Sequence, residues 1–155
     1  MTHLPNKAYF IGIGGIGISA ILRLFASKGV SVSGSDIHLP PKDSLPPGEY
    51  FSGHDSENVP HDADMVIYSP AVPESNPERR RATELGITQL SYPEALGRIT
   101  KPYNTIAISG THGKSTTTAL TGKLFNEGGF APSVIVGAEV SGWDHNLLKG
   151  HSDIF

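Results

Sequence analysis

The sequence predicts an α/β protein built in two parts, and three observations carry that prediction. Short apolar runs alternate with stretches of helical spacing. Two of those runs lead into glycine loops, Gly12-Ile13-Gly14-Gly15-Ile16-Gly17 and Gly110-Thr111-His112-Gly113-Lys114-Ser115-Thr116. With 18 Gly and 12 Pro in 155 residues, the chain has the composition of a loop-rich fold rather than a helical bundle.

Ala8 to Ile13 is a short apolar run ending at glycine, as a buried parallel strand would. Beyond the loop, Ile18, Ile21, Leu22 and Phe25 keep helical spacing, and Gly29 fits a helix C-cap. Val30 to Ser33 then predicts a second strand, ending near Ser35-Asp36. Together these make a βαβ unit of about 30 residues, the size expected for a Rossmann-like start. Proline-rich Leu39 to Pro47 is a loop, and Asp64 to Tyr68 is a strand stopped by Ser69-Pro70. Ser75-Asn76-Pro77-Glu78 has the spacing of a capping box, opening a polar helix to Leu85, and Ser91-Tyr92-Pro93-Glu94 repeats that signal. Arg79-Arg80-Arg81 fits a solvated face of the first of these helices.

Lys101-Pro102-Tyr103 is the expected hinge, dividing the chain into domains at 1–100 and 101–155. Thr105 to Ser109 predicts a strand into the second loop, Thr116 to Glu127 a helix closed by Gly128-Gly129, and Ser133 to Val136 another strand. Trp143, in a polar stretch, fits a loop packing residue. Ser152 to Phe155 looks like the opening of a further strand, so the second domain is expected to be incomplete.

The formal net charge of −3, with no basic or acidic tail, gives no footprint for nucleic acid. Cysteine is absent, which excludes disulfides and thiolate sites. The N-terminus lacks a signal peptide's pattern, and no apolar run is long enough to span a bilayer. The expectation is a cytoplasmic protein without membrane insertion; its oligomeric state has no signal in the sequence. The histidines show no helical metal-ligand spacing.

The first loop follows a strand and opens a helix, where glycines allow a sharp turn and a close approach of backbone to a diphosphate. NAD, FAD and a UDP-sugar all present that diphosphate. Asp36 stands where such folds place a ribose-binding carboxylate, and it also fits a solvated turn. His54 fits both a substrate contact and a turn cap. The second loop departs from a strict P-loop, because Ile108 stands five positions before Gly113 where glycine belongs. Its chemistry survives: backbone N–H groups wrap phosphates, Lys114 reaches the β/γ-phosphates and the Ser115 hydroxyl is a ligand for Mg²⁺. His112 fits a structural or phosphate-facing role better than that of a general base.

The ordered set Phe10-Ile-Gly-Ile-Gly-Gly-Ile-Gly-Ile-Ser19, Ser33-Gly-Ser-Asp36, Gly53-His54, Ser69-Pro-Ala71, Ser75-Asn-Pro-Glu78 and Ser109-Gly-Thr-His-Gly-Lys-Ser-Thr-Thr-Thr118 resembles the Mur ligases. The likeness runs from Lys7 to the end and is strongest to members that join L-alanine to UDP-N-acetylmuramate. It implies a UDP-sugar site at Gly12, Gly14, Gly15, Ile16, Gly17, Ser35, Asp36, His54, Ser69 and Ala71. It implies an ATP site at Gly110, Thr111, His112, Gly113, Lys114, Ser115 and Thr116, with Lys114 catalytic and Ser115 on Mg²⁺. ATP and Mg²⁺ would drive amide formation through an acyl phosphate, in peptidoglycan precursor synthesis. On this resemblance the chain holds the first domain and the opening of the ATPase domain, and is inactive alone. Three other readings stand beside it: a murein-tripeptide recycling ligase, a nicotinamide oxidoreductase built on the first loop and Asp36, and a non-catalytic UDP-sugar-binding module.

Overall fold

The computed structural model describes residues 4–155, which divide into one unit running to Leu96 and another, Gly97–Phe155. In the first, strands β1 (Lys7–Ile11), β2 (Ser31–Asp36), β3 (Gly48–Ser52), β4 (Met65–Tyr68) and β5 (Thr88–Ser91) form one sheet in the order β3-β2-β1-β4-β5. Every pairing is parallel. This is the five-stranded Rossmann-like architecture. The strand order reverses between β1 and β4, the switch point where such sheets bind ligands.

β1 is apolar because both its faces are covered. Phe10 meets Phe25 of helix α1 (Ile16–Ser27) edge to face, with ring centroids 5.7 Å apart. Tyr9 and Ile11 face the other way, into a cluster with Val59, Val66, Val72 and Ala82. Ala82 brings helix α2 (Pro77–Glu84) onto that face. The predicted stripe of α1 is buried as expected: Ile18, Ile21, Leu22 and Phe25 all lie in the core. Gly29, just past the helix, has φ +83°, a left-handed turn suited to glycine.

Five expectations need correction. The edge strands β3 and β5 are absent from the sequence reading; both mix polar and apolar residues and are only partly covered, so neither shows the apolar run of a buried strand. The first capping box does not form. Asn76, not Ser75, caps α2, accepting from the N–H groups of Glu78 and Arg79 at 2.9 and 3.2 Å, and Glu78 turns inward. The second box keeps its essential half: Glu94, in helix α3 (Tyr92–Thr100), accepts from the Ser91 N–H at 2.8 Å. Arg79 is not a solvated residue. Its guanidinium lies 3.8 Å from the Tyr68 ring centroid and donates to the Val72 carbonyl at 3.0 Å.

The last two corrections fall in the unit Gly97–Phe155. Thr105 to Ser109 is not a strand. A ladder joins Asn104 to Asp153 and Ile106 to Phe155 by backbone bonds of 2.7 and 2.9 Å, and among the described residues it goes no further. Helix α4 (Lys114–Glu127) follows the second loop, and β6 (Val134–Ile135) pairs antiparallel with the unpredicted β7 (Leu147–Leu148). The helix starts at Lys114 rather than Thr116. Trp143 does pack: a Cβ placed on Gly122 of α4 would lie 3.1 Å from the indole. Among the described residues, no helix is long and apolar enough to cross a membrane.

Candidate functional site

The first loop is fixed by the strand ends beneath it. Gly12 and Ile13 both donate to the Ser35 carbonyl, at 2.9 and 3.2 Å, at the end of β2. Gly12 has φ +88°, and a Cβ there would lie 3.0 Å from the Ser69 side chain just beyond β4. Glycine at 12 is therefore required by conformation and by space. Ser69 itself is tied to β1 through its N–H on the Ile11 carbonyl, 3.0 Å. At Gly17 a Cβ would lie 2.8 Å from the Tyr92 ring, so this glycine lets α1 pack closely on another side chain. A Cβ at Gly15 would make one close contact, 3.3 Å from the Gly12 carbonyl oxygen, and meet nothing else nearby. Gly15 caps α1 without a side-chain bond, and the first turn holds no acidic residue. The positive end of the helix dipole is thus left without a side-chain counter-charge from α1.

Asp36 is committed to the loop. One carboxylate oxygen accepts from the Gly14 N–H at 2.7 Å, and the other from the His38 N–H at 2.9 Å. It clamps the loop and closes a turn together.

Beneath the loop lies a buried polar network that the sequence reading missed. Glu78 is fully buried. Its Oε1 accepts from the Tyr9 hydroxyl at 2.8 Å and the Asn58 amide at 2.9 Å. Its Oε2 accepts from the Ser35 hydroxyl at 2.6 Å and lies 2.9 Å from His54 Nδ1. Ser35 Oγ and His54 Nδ1 are 3.1 Å apart. Four groups on two oxygens satisfy a buried carboxylate, which is costly only when left unpaired. Burial first, then the neighbouring Glu78 charge, push the Tyr9 hydroxyl well above the usual tyrosine range, so Tyr9 stays a donor. Ser35 and His54 are brought together here, one layer below Gly12 and Ile13. Ala71, by contrast, is exposed, and its N–H donates to Ser69 Oγ at 3.4 Å, outside that network. Tyr9 and Asn58 left no motif to read, and Glu78 stands in one that reads as a cap. A glutamate after Asn-Pro looks like a helix cap until its burial is known.

The second loop is exposed from Gly110 to Lys114. Gly113 caps α4 at φ +76°, again without a side-chain bond and with no acid in the first turn. Lys114 Nζ folds back onto the Gly110 carbonyl at 2.6 Å and the Thr111 carbonyl at 3.2 Å. Thr118 donates to the Lys114 carbonyl at 2.8 Å. Ser115 stands one residue into the helix, its hydroxyl 3.7 Å from where a Cβ on Gly137 would lie. Among the described residues, no cluster of three or more His, Asp or Glu could hold a metal ion.

Comparison with known proteins fits this geometry to a family. The Mur ligase family, catalytic domain, matches residues 7–104. The chain belongs to the Mur ligase family. The UDP-N-acetylmuramate--L-alanine ligase of Alkaliphilus metalliredigens is 41% identical over 99% of this chain, and that of Paenarthrobacter aurescens is 40% identical over 97%. The match spans 34% and 33% of those relatives, so the chain has about a third of their length. The solved UDP-N-acetylmuramate-alanine ligase of Thermotoga maritima superimposes with a TM-score of 0.83 at 31% identity, covering 96% of this chain and 36% of that one. A tripeptide-adding ligase from Neisseria meningitides, 20% identical with a TM-score of 0.82, covers 98% of this chain and 52% of its own and shows the shared fold alone.

Proposed function

We propose that this chain is the sugar-nucleotide-binding part, with the opening of the ATP-binding part, of a ligase that joins L-alanine to UDP-N-acetylmuramate in peptidoglycan precursor synthesis. The carrying observation is the 41% identity to a UDP-N-acetylmuramate--L-alanine ligase over 99% of the chain. The domains are those read from the sequence, 1–100 and 101–155.

The sugar nucleotide lies at the ends of β1, β2 and β4, against Gly12, Gly14, Gly15, Ile16, Gly17, Ser35, Asp36, His54, Ser69 and Ala71. Because the Gly14 N–H is already held by Asp36, the diphosphate meets the start of α1 beyond it, where the N-cap Gly15 brings no side chain. Gly15 then has a reason to be glycine: the space above it is left for the ligand. Anchoring the UDP end fixes the distant lactyl carboxylate for reaction.

ATP phosphates lie on Gly110, Thr111, His112, Gly113, Lys114, Ser115 and Thr116. The uncapped α4 terminus supplies N–H groups and a positive dipole end. Lys114 releases its two loop carbonyls and turns to the phosphates, where its charge offsets what develops as the carboxylate attacks the γ-phosphate. L-alanine's amine then displaces phosphate from the acyl phosphate. Mg²⁺, a hard cation that takes oxygen ligands, would neutralise phosphate charge, and Ser115 is the side chain here that suits it.

Calorimetry on the 155-residue chain is expected to show tighter binding of UDP-N-acetylmuramate than of NAD. Equal or tighter NAD binding would overturn the assignment. In the chain extended to its relatives' length, Lys114→Ala is expected to abolish ligation and leave sugar-nucleotide binding intact.

A further inference from the structure

We propose that Glu78 is a positioning residue for His54: it holds Nδ1 and so commits Nε2 to the ligand. The proposal rests on the reading of the strand ends as the UDP-sugar site. Hydrogen-bond accounting carries it. The Ser35 hydroxyl has one proton, and its 2.6 Å contact with Glu78 Oε2 uses it. His54 Nδ1 faces that same Oε2 at 2.9 Å and Ser35 Oγ at 3.1 Å. A carboxylate oxygen only accepts, and Ser35 Oγ has only lone pairs left to offer. The proton between them belongs to Nδ1. With Nδ1 occupied, Nε2 is the one ring nitrogen left for a ligand.

The carboxylate cannot easily yield. The Tyr9 hydroxyl and Asn58 amide hold Oε1, and Ser35 holds Oε2, so the acceptor is fixed by groups from β1, β2 and the turn near residue 58. His54 itself is mostly buried, with 16% of its side chain exposed. Its strand end is anchored by the Gly53 N–H on the Asp36 carbonyl at 2.8 Å, which ties the histidine to the residue that clamps the first loop. A neutral ring in this form offers Nε2 as an acceptor to a ligand hydroxyl. A doubly protonated ring offers an N–H to a phosphate oxygen. Nδ1 stays on Glu78 in both.

Ring ¹⁵N NMR of the wild-type chain, at a pH where His54 is neutral, is expected to show the Nδ1–H form. Calorimetry with UDP is expected to show binding that Glu78→Gln weakens about 10-fold, together with a shift of the ring toward the Nε2–H form. Glu84→Gln changes an exposed carboxylate of the same helix, paired with Arg81 and outside the network, so it is expected to keep both the tautomer and the affinity. An Nε2–H ring in the wild type overturns the positioning role, even if Glu78→Gln fails to fold. So does a folded Glu78→Gln with unchanged tautomer and affinity. A wild-type chain with the Nδ1–H ring that does not bind UDP overturns the functional reading and leaves the positioning of His54 standing.

Discussion

Two glycine loops open two helices in this chain, and the ground beneath them differs. Helix α1 buries seven residues, from Ile18 to Phe25. Helix α4 buries only Gly122. The first loop is held from below by Ser35 and from the side by Asp36, over a sheet covered on both faces. The second holds itself, with Lys114 bonded to the loop's own carbonyls. Both share a local geometry: a helix that starts behind a glycine turn, with a glycine N-cap that makes no side-chain bond. That geometry follows from a few backbone angles. Its rigidity comes from packing, and α1 buries far more than α4.

Hydrogen exchange should break or sharpen that contrast most clearly. Amides of β1 and α1 are expected to open only with the whole unit, and those of α4 at least about 100-fold more often. Equal protection would mean that α4 is held by contacts its burial does not show. Substitutions should follow the same line. Leu22→Ala, at a fully buried position, is expected to cost about 2–5 kcal/mol in chemical denaturation. Leu124→Ala, 69% exposed, is expected to change stability by less than about 0.5 kcal/mol.

Within the first loop, packing and binding roles should separate. Gly17→Ala drives a Cβ to 2.8 Å from the Tyr92 ring, and is expected to cost about 1–3 kcal/mol of stability. Gly15→Ala meets no such contact. It should leave the melting temperature nearly unchanged and weaken UDP-N-acetylmuramate binding.

The smallest effect is alkaline. Burial pushes the Tyr50 hydroxyl from the usual 10 up to about 12. A folded-state value above the unfolded one means full stability below pH 10, lost progressively as pH rises toward 12. Tyr9 and Tyr92 are raised in the same direction, chiefly by burial. Tyr50→Phe should flatten part of that loss, seen as a shallower fall of the melting temperature over this range.

The pattern of what could be read from sequence follows the same division. β1, α1 and β2 were legible because a covered strand is a plain apolar run and a packed helix repeats its stripe. β3 and β5 were not, since edge strands of this sheet carry polar residues whose pairing depends on distant chain. Thr105 to Ser109 has the residues of a strand and Ile106 donates to the Phe155 carbonyl, but no regular strand forms there. At the site, the glycines stood out through spacing, whereas Asp36 and His54 each fitted a turn as well and were singled out by the family resemblance. The buried role of Glu78 was not legible, because its partners lie 20 to 69 residues away and only folding brings them together.

Residue-resolved NMR titration tests the central claim most directly. UDP-N-acetylmuramate is expected to shift Gly15, Ile16, Gly17, Ser35 and His54 and to leave Gly110 to Thr116 in place, while ATP with Mg²⁺ does the reverse. A sugar nucleotide that moved the second loop and left the first unchanged would contradict the account.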